Sequence, residues 1–261
     1  MKNTRRYKRK KERKSLLKRK GFWWGVAASV LTTGVVYVLF LSPWLQIEEV
    51  VVSGTEQVSP GEIVLEVDTV LSETFLGVRT GGNMLLFPKA QVAAGLLSSF
   101  PQLADVVLKR SFSGKLTVEV TERGPVGSWC EQDACFSIDG GGVAFKELTE
   151  EMVPVFQGFR AREVVLGEEI IDPSLLAVLL EFRAALVPEV AIAGFQVKEA
   201  FQVTALAQEG WDILLDTSQD MAWQLTKLRE VLEQKIPEEE RGNLEYIDLR
   251  FGDRAYIQYR D

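Results

Sequence analysis

The chain has 261 residues and a formal net charge of −7, but this charge is distributed very unevenly. Residues 1–20 hold twelve Lys and Arg against one Glu, and the rest of the chain holds eighteen against thirty-six Asp and Glu. Histidine is absent, and only two cysteines are present. These counts exclude a Ser-His-Asp or Cys-His nucleophile, a histidine-ligated zinc and a Cys₄ zinc or iron–sulfur site within one chain.

Residues 21–45 form an apolar stretch without a single charge. As a helix this stretch would be roughly 37 Å long, which exceeds the ~30 Å hydrocarbon core of a bilayer. Trp23 and Trp24 at one end and Trp44 at the other are placed as membrane-interface anchors. A cleaved signal peptide needs a shorter apolar region, and a buried helix is rarely apolar on all faces. We therefore predict one uncleaved transmembrane helix, with the lipid bilayer as its partner.

The basic tail over residues 1–20 determines the expected orientation. Lys and Arg accumulate on the cytoplasmic side of a span, and this tail directly precedes the predicted one. The N-terminus is thus predicted to be cytoplasmic and residues 46–261 extracytoplasmic. A nucleic-acid-binding tail is the weaker interpretation, since the tail is attached directly to the span, and no nucleic-acid partner is expected.

The first exterior stretch reads as a strand, two helices and two strands. Residues 47–52 form the first strand, and Ser59-Pro60-Gly61-Glu62 combines an N-cap, a proline at the first helical position and a capping-box Glu. A second helix begins at Pro88. Alternating residues around 106–110 and 116–120 predict the last two strands. This order, immediately after a membrane span, resembles a POTRA module.

The remainder of the chain is predicted to be mainly β-structure with two helices. The helices are expected over 172–186 and 219–234, the second with Leu225, Leu228 and Leu232 on one face. The candidate strands lie at 126–130, 136–138, 142–146, 189–198, 202–207 and 211–215, followed by a terminal hairpin of 244–250 and 254–260.

Cys130 and Cys135 enclose four residues, a length that suits a short hairpin between strands. In an oxidising exterior the two thiols could form a local disulfide if their Cα atoms come within about 7 Å. The alternative is a pair of half-buried free thiols, and we favour the disulfide.

No residue pattern assembles a catalytic or cofactor site. Ser15-Leu16-Leu17-Lys18 matches the S-x-x-K pattern of acyl enzymes, but it lies in the basic tail without its companion motifs. Glu150-Glu151 and Glu238–Glu240 are better explained as solvated charges than as a metal site. No glycine loop with phosphate-binding spacing is present. We expect no enzymatic activity, no cofactor, no metal and no small-molecule substrate.

Several runs together resemble the bacterial cell-division family FtsQ/DivIB over nearly the whole chain. The resemblance includes the layout of basic tail, span, POTRA module and β-rich domain. The local runs are Ile47–Gly54, Asn83–Leu86, Leu116–Val126, Trp129, Phe136–Asp139, Val153–Val155 and Tyr246–Phe251. The cysteine pair is not a feature associated with the family generally.

The resemblance implies a non-catalytic scaffold of the septal wall-synthesis machinery in the cytoplasmic membrane. Its expected partners are small single-span division proteins of the FtsB/DivIC and FtsL types. The alternative is a POTRA-containing envelope transport or assembly component, which would need a cleaved signal and a following barrel. The many alternating strands of a barrel are absent from the sequence after residue 130.

The terminal hairpin is the candidate partner-binding site. Its last strand, 254–260, can form a sheet edge with unpaired backbone groups, and Tyr256 and Tyr259 are suitable contact residues. In the alternative interpretation Tyr256, Ile257 and Tyr259 only cover the core, and the arginines blunt the edge. We predict partner binding, through Tyr246, Arg250, Phe251, Arg254, Tyr256, Ile257, Gln258 and Tyr259.

The predicted fold class is therefore α+β, with one N-terminal transmembrane helix, a POTRA module and a mixed, mainly β domain with two helices. The predicted division of the chain is 1–20 as basic cytoplasmic tail, 21–45 as transmembrane helix, 46–123 as POTRA domain and 124–261 as β-rich partner-binding domain.

Overall fold

The computed structural model describes most of the chain. The described residues are 20–41, 45–72, 74–75, 78–79, 82–111, 113–132, 134–158, 163–187, 189–198 and 201–260. The predicted basic tail, apart from Lys20, lies outside these residues, as does Trp44. The side chains of Phe22 and of residues 39–41 also lie outside the described part.

The first helix, α1, covers most of the uncharged stretch and runs over Lys20–Leu41. Trp23, Trp24 and Leu31 expose 61%, 78% and 71% of their surface. In the part of the chain that the structure describes, no helix is long and apolar enough to cross a membrane. The span over residues 21–45 stays a prediction.

The chain divides into two compact units. One comprises Met1–Val52, Gly61–Val92 and Leu108–Val118, and the other comprises Ser53–Pro60, Ala93–Val107 and Glu119–Asp261. The domain boundary after residue 123 also stays a prediction.

The segment after α1 has the expected strand, helix, helix, strand, strand order, with one short hairpin added between the two helices. Its elements are β1 (Glu49–Ser53), α2 (Pro60–Leu71), β2 (Thr74–Phe75), β3 (Val78–Arg79), α3 (Lys89–Ser99), β4 (Leu103–Ser111) and β5 (Lys115–Glu122). The strand order is β1-β5-β4, and β2 and β3 form a separate hairpin. That hairpin is not among the predicted elements, because strands of two residues show no periodicity.

The rest of the chain builds a nine-stranded sheet. Its strands are β6 (Gly127–Glu131), β7 (Ala134–Ile138), β8 (Ala144–Leu148), β9 (Val155–Gly158), β10 (Ile192–Val197), β11 (Gln202–Ala207), β12 (Asp212–Asp216), β13 (Leu244–Phe251) and β14 (Arg254–Tyr259). Their order is β14-β13-β12-β11-β10-β9-β6-β7-β8. A short 3₁₀ helix over Glu238–Asn243 leads into β13.

Two details of this sheet correct the sequence-based expectations. The strand β9 is an addition, and it pairs in parallel with both β6 and β10. The strand expected over 142–146 begins only at Ala144, because Gly142 has a positive φ of 72°. A Cβ atom at Gly142 would lie 2.0 Å from the carbonyl oxygen of Ile171, so this position needs glycine.

Two helices cover one face of the sheet, α4 (Pro173–Leu186) and α5 (Met221–Gln234). Each begins at an aspartate N-cap, because Asp172 and Asp220 accept backbone hydrogen bonds from the first turn of their helices. The predicted apolar residues Leu228 and Leu232 of α5 are buried. The hydrophobic core between helices and sheet also contains Phe156, Phe195 and Trp211, which are completely buried.

Candidate partner-binding site

The terminal strand β14 is an edge of the nine-stranded sheet. Among the strands that the structure describes, it pairs on one side only, with β13, in antiparallel register that matches Ile247 with Ile257. The N–H of Arg260 donates to the carbonyl oxygen of Asn243, on the β13 side. Because donors alternate along a strand, the N–H groups of Ile257 and Tyr259 point away from β13. This edge therefore offers backbone groups to an added strand.

Exposed aromatic side chains lie beside this edge. Phe251 and Tyr256 expose 53% and 49% of their surface, and their rings meet edge-to-face with centroids 5.3 Å apart. The guanidinium of Arg250 lies 5.8 Å from the centre of the Phe251 ring. Such a cluster combines apolar area with a cation and is typical of protein-contact surfaces.

The position of Phe251 differs from the simple alternation of β13, which predicts it on the same face as Ile247 and Leu249. The register between β13 and β14 shifts between Asp248 and Phe251. Because of this irregularity, the Phe251 side chain does not lie on the buried face of β13 with Ile247 and Leu249. Ile247 and Leu249 are completely buried, whereas Phe251 is exposed.

A groove of about 300 Å³ runs on the other side of β14, along α5. Ile257 and Ala255 of the strand and Val231 of the helix form its apolar lining, while Lys235 and Asp253 add opposite charges. Side chains of a strand added to β14 would alternate between this groove and the Phe251–Tyr256 pair.

An ion pair between the buried Asp248 and the partly exposed Arg250 supports the aromatic cluster. Asp248 is only 5% exposed and accepts two hydrogen bonds from the Arg250 guanidinium, at 2.9 Å and 2.6 Å. Burial alone would raise the pKa of the Asp248 carboxyl, but the hydrogen bonds and positive charge of Arg250 outweigh it and lower this pKa. Asp248 thus stays ionised and holds Arg250 beside Phe251.

Side chains near α5 hold the turn between β13 and β14. The ammonium of Lys227 is buried and donates to the carbonyl oxygens of Leu249 at 2.7 Å and Gly252 at 2.6 Å. The amide of Gln219 donates to the carbonyl oxygen of Arg250 at 2.8 Å. Desolvation by burial lowers the pKa of Lys227. The helix thereby fixes the part of the hairpin that presents Phe251.

The structure brings the eight predicted contact residues together on one hairpin. Tyr246 pairs with Gln258, and Arg254 pairs with Phe251 across the two strands. Tyr259 is 38% exposed, and Ile257 packs partly against the core.

Sequence reasoning missed the supporting residues Asp248, Lys227 and Gln219. A signal for Lys227 exists, because it lies three residues after the buried Gln224 and one before the buried Leu228 on the core-facing stripe of α5.

The two cysteines lie opposite each other in β6 and β7 and are joined in a disulfide. Together with Glu151 they are the one group of three potential metal ligands found among the described residues. Because both sulfur atoms belong to the disulfide, they provide no thiolate for a metal.

Comparison with known proteins identifies both parts of the chain. A model of the FtsQ-type POTRA domain matches residues 45–123, so the chain is a POTRA-bearing protein. A model of the C-terminal part of the cell division protein FtsQ/DivIB matches residues 129–250. The chain therefore belongs to the FtsQ/DivIB cell-division family.

Its similar relatives are curated as "Cell division protein FtsQ". One from Streptomyces bingchenggensis is 32% identical over 135 residues, covering 51% of this chain and 48% of that protein. One from Geobacter sp. is 27% identical over 82% of this chain and 76% of the relative. One from Neisseria meningitidis is 26% identical over 61% of this chain and 63% of the relative. The match thus spans only about half of the length of the Streptomyces protein.

Proposed function

We propose that this chain is a non-catalytic scaffold of the bacterial division machinery that captures a partner strand at β14. The observation that carries the proposal is the open edge of β14 beside the exposed Phe251 and Tyr256. An open edge supplies main-chain hydrogen bonds, and flanking side chains supply specificity. Family membership supports a role in cell division.

A single membrane span is the second element of the proposal. Residues 21–45 are uncharged, and α1 occupies most of them. The twelve basic residues before the span favour a cytoplasmic N-terminus, which leaves residues 46–261 outside the cytoplasmic membrane. In this arrangement the exterior part is held at the membrane and is enriched at the division septum.

The proposed partners are single-span division proteins of the FtsB/DivIC and FtsL types. A suitable partner segment is extended and carries apolar or aromatic side chains at alternate positions, because one face meets Phe251 and Tyr256 and the other enters the α5 groove. By binding such proteins, the chain would link them to septal peptidoglycan synthesis.

The sharpest test replaces Tyr256 by lysine. The substitution removes an aromatic contact at the centre of the proposed interface, which we expect to weaken partner binding by about 2 kcal/mol, or roughly thirty-fold in Kd. The measurement is co-purification and titration of the full chain with its co-expressed single-span partners. Circular dichroism verifies that the variant is folded.

Trp223→Lys is the matched control, since Trp223 lies on α5 and is 49% exposed, as is Tyr256. We expect it to bind partners normally. A second pair of variants distinguishes loss of the free backbone edge from loss of the pairing between β13 and β14. Ile257→Pro removes an N–H donor at the free edge. Gln258→Pro removes an N–H donor that faces β13 and should disrupt the hairpin. A folded Tyr256→Lys chain that retains full partner affinity contradicts the proposed site.

A further inference from the structure

The loop over residues 82–86 is tied to the chain that leaves α1. The N–H of Met84 donates to the carbonyl oxygen of Leu45 at 2.7 Å, and the N–H of Ile47 donates to that of Gly82 at 2.8 Å. Gln46 and Asn83 form an antiparallel bridge between them. Four chain steps from Leu41, where α1 ends, to Leu45 reach at most about 14 Å. The loop must therefore lie close to the end of α1.

This loop exposes the side chains of two adjacent leucines, Leu85 and Leu86. Leu85 and Leu86 expose 52% and 44% of their surface, between the buried Met84 and Phe87. The side-chain oxygen of the completely buried Asn83 accepts hydrogen bonds from the N–H groups of both leucines, at 2.9 Å and 3.3 Å. The outward direction is thus determined by a hydrogen-bonded turn, and an adjacent exposed apolar pair favours an apolar environment.

Positive charge accompanies the two leucines. The guanidinium of Arg110 donates to the carbonyl oxygen of Met84, and the Arg110 residue is exposed. A basic side chain next to exposed leucines suits the region where anionic headgroups meet acyl chains.

We propose that Leu85 and Leu86 insert into the outer interface of the lipid bilayer, as a second membrane contact beside α1. The proposal rests on the proposed span: if α1 crosses the bilayer, Leu45 emerges at the headgroup level, and a loop hydrogen-bonded to Leu45 lies at the same level. Lipid is the occupant because the pair adjoins the membrane exit of its own chain. The contact would restrict rotation of this part of the chain about the axis of α1.

Depth-dependent fluorescence quenching tests both proposals separately. The full chain is reconstituted in vesicles of phosphatidylethanolamine and phosphatidylglycerol, with the environment-sensitive dye NBD on one introduced cysteine. Cys130 and Cys135 are joined in a disulfide and do not react with the dye. The label sites are Leu85→Cys, Val30→Cys in α1, and Leu65→Cys on α2 as the control, a leucine that is 69% exposed.

We expect the label at residue 85, inserted about 5–10 Å below the headgroups, to lose roughly half of its fluorescence to lipids with a doxyl group near the headgroup. The label at residue 30 should respond to doxyl groups deep in the acyl chains, and the label at residue 65 to neither. Leu86→Cys provides an independent second site on the loop.

Two contrary results are distinguishable. If the label at residue 30 is quenched but those at 85 and 86 behave like the one at 65, the second contact is wrong and the span stands. If the label at residue 30 escapes quenching by every lipid, the span itself is wrong.

Discussion

At the scale of single residues, Glu122 shows how one carboxylate organises a distant loop. At the end of β5 its oxygens accept hydrogen bonds from the N–H groups of Glu56, Gln57 and Val58, at 2.8–3.0 Å. Partial burial raises the pKa of the Glu122 carboxyl, but the three backbone donors outweigh it, so this pKa is lowered. The loop that precedes α2 is therefore held by a charged acceptor.

We predict that Glu122→Gln lowers the free energy of unfolding by about 1 kcal/mol at neutral pH, because charge-assisted hydrogen bonds become neutral ones. A folded-state pKa below the unfolded value stabilises the chain above the unfolded pKa, and the stabilisation is lost as pH falls through the folded value. The difference between variant and parent should therefore be constant above the unfolded Glu pKa of about 4.3, shrink as the pH falls below it, and vanish once the folded carboxyl is protonated. Thermal unfolding of the full chain in mild detergent measures it.

The exposed Glu48 provides the control for this prediction. Glu48→Gln should unfold like the parent at both pH values. A Glu122→Gln penalty that is equally large in acid would show that the carboxylate charge is not its cause.

At the scale of elements, α5 positions the β13–β14 hairpin through Lys227. The ammonium of Lys227 donates two hydrogen bonds to backbone carbonyl oxygens of the hairpin. These carbonyls lie where the register between β13 and β14 is irregular. Because desolvation makes the buried ammonium costly, its replacement by an apolar side chain need not lower global stability. The expected loss is one of local order.

We predict that Lys227→Met speeds amide hydrogen exchange of residues 249–256 about tenfold and weakens partner binding by a similar factor, for a local cost of about 1.4 kcal/mol. Hydrogen-exchange mass spectrometry and the partner titration measure the two effects. The rest of the sheet should keep its protection.

Arg229→Met is the matched control on the same helix. Arg229 also makes two contacts, to the carbonyl oxygen of Ala185 and to the carboxylate of Glu189, but both lie away from the hairpin. It should leave exchange at 249–256 and partner binding unchanged. Equal effects of both substitutions would mean that Lys227 stabilises only α5.

At the scale of the whole molecule, the charge asymmetry of the chain should determine its orientation. We predict that replacing the Lys and Arg residues of the tail by Gln lowers the fraction of chains whose residues 46–261 reach the exterior, because the cytoplasmic charge bias is removed. Protease accessibility of the exterior part in spheroplasts measures this fraction. Unchanged accessibility would show that another feature orients the chain.

Local sequence patterns predicted much of the fold. The two helices expected over 172–186 and 219–234 are found at Pro173–Leu186 and Met221–Gln234, because apolar periodicity is a local signal. Apart from the short β2–β3 hairpin, the order of elements between residues 47 and 122 also follows from alternation and helix-start residues. The resemblance to the FtsQ/DivIB cell-division family is also read from the sequence, and the comparisons confirm that membership.

Other features escaped because they depend on distant partners. The short strand β9 acquires its role only by parallel pairing between β6 and β10. The alternation of residues along β13 predicts a buried Phe251. The side chain is exposed instead, because the register between β13 and β14 shifts at this point. From the sequence alone, Lys227 is expected to be a solvated lysine. Its buried position depends on the packing of α5 over the hairpin turn.

By itself, the sequence determined the uncharged segment, the excess of positive charge before it, the absence of histidine chemistry and the family. These properties follow from residue composition and from motifs of neighbouring residues, so they do not require knowledge of distant contacts. Only the tertiary structure decided that nine strands share one sheet and that β14 ends it. A terminal strand can be central or at an edge, and long-range pairing alone selects between the two.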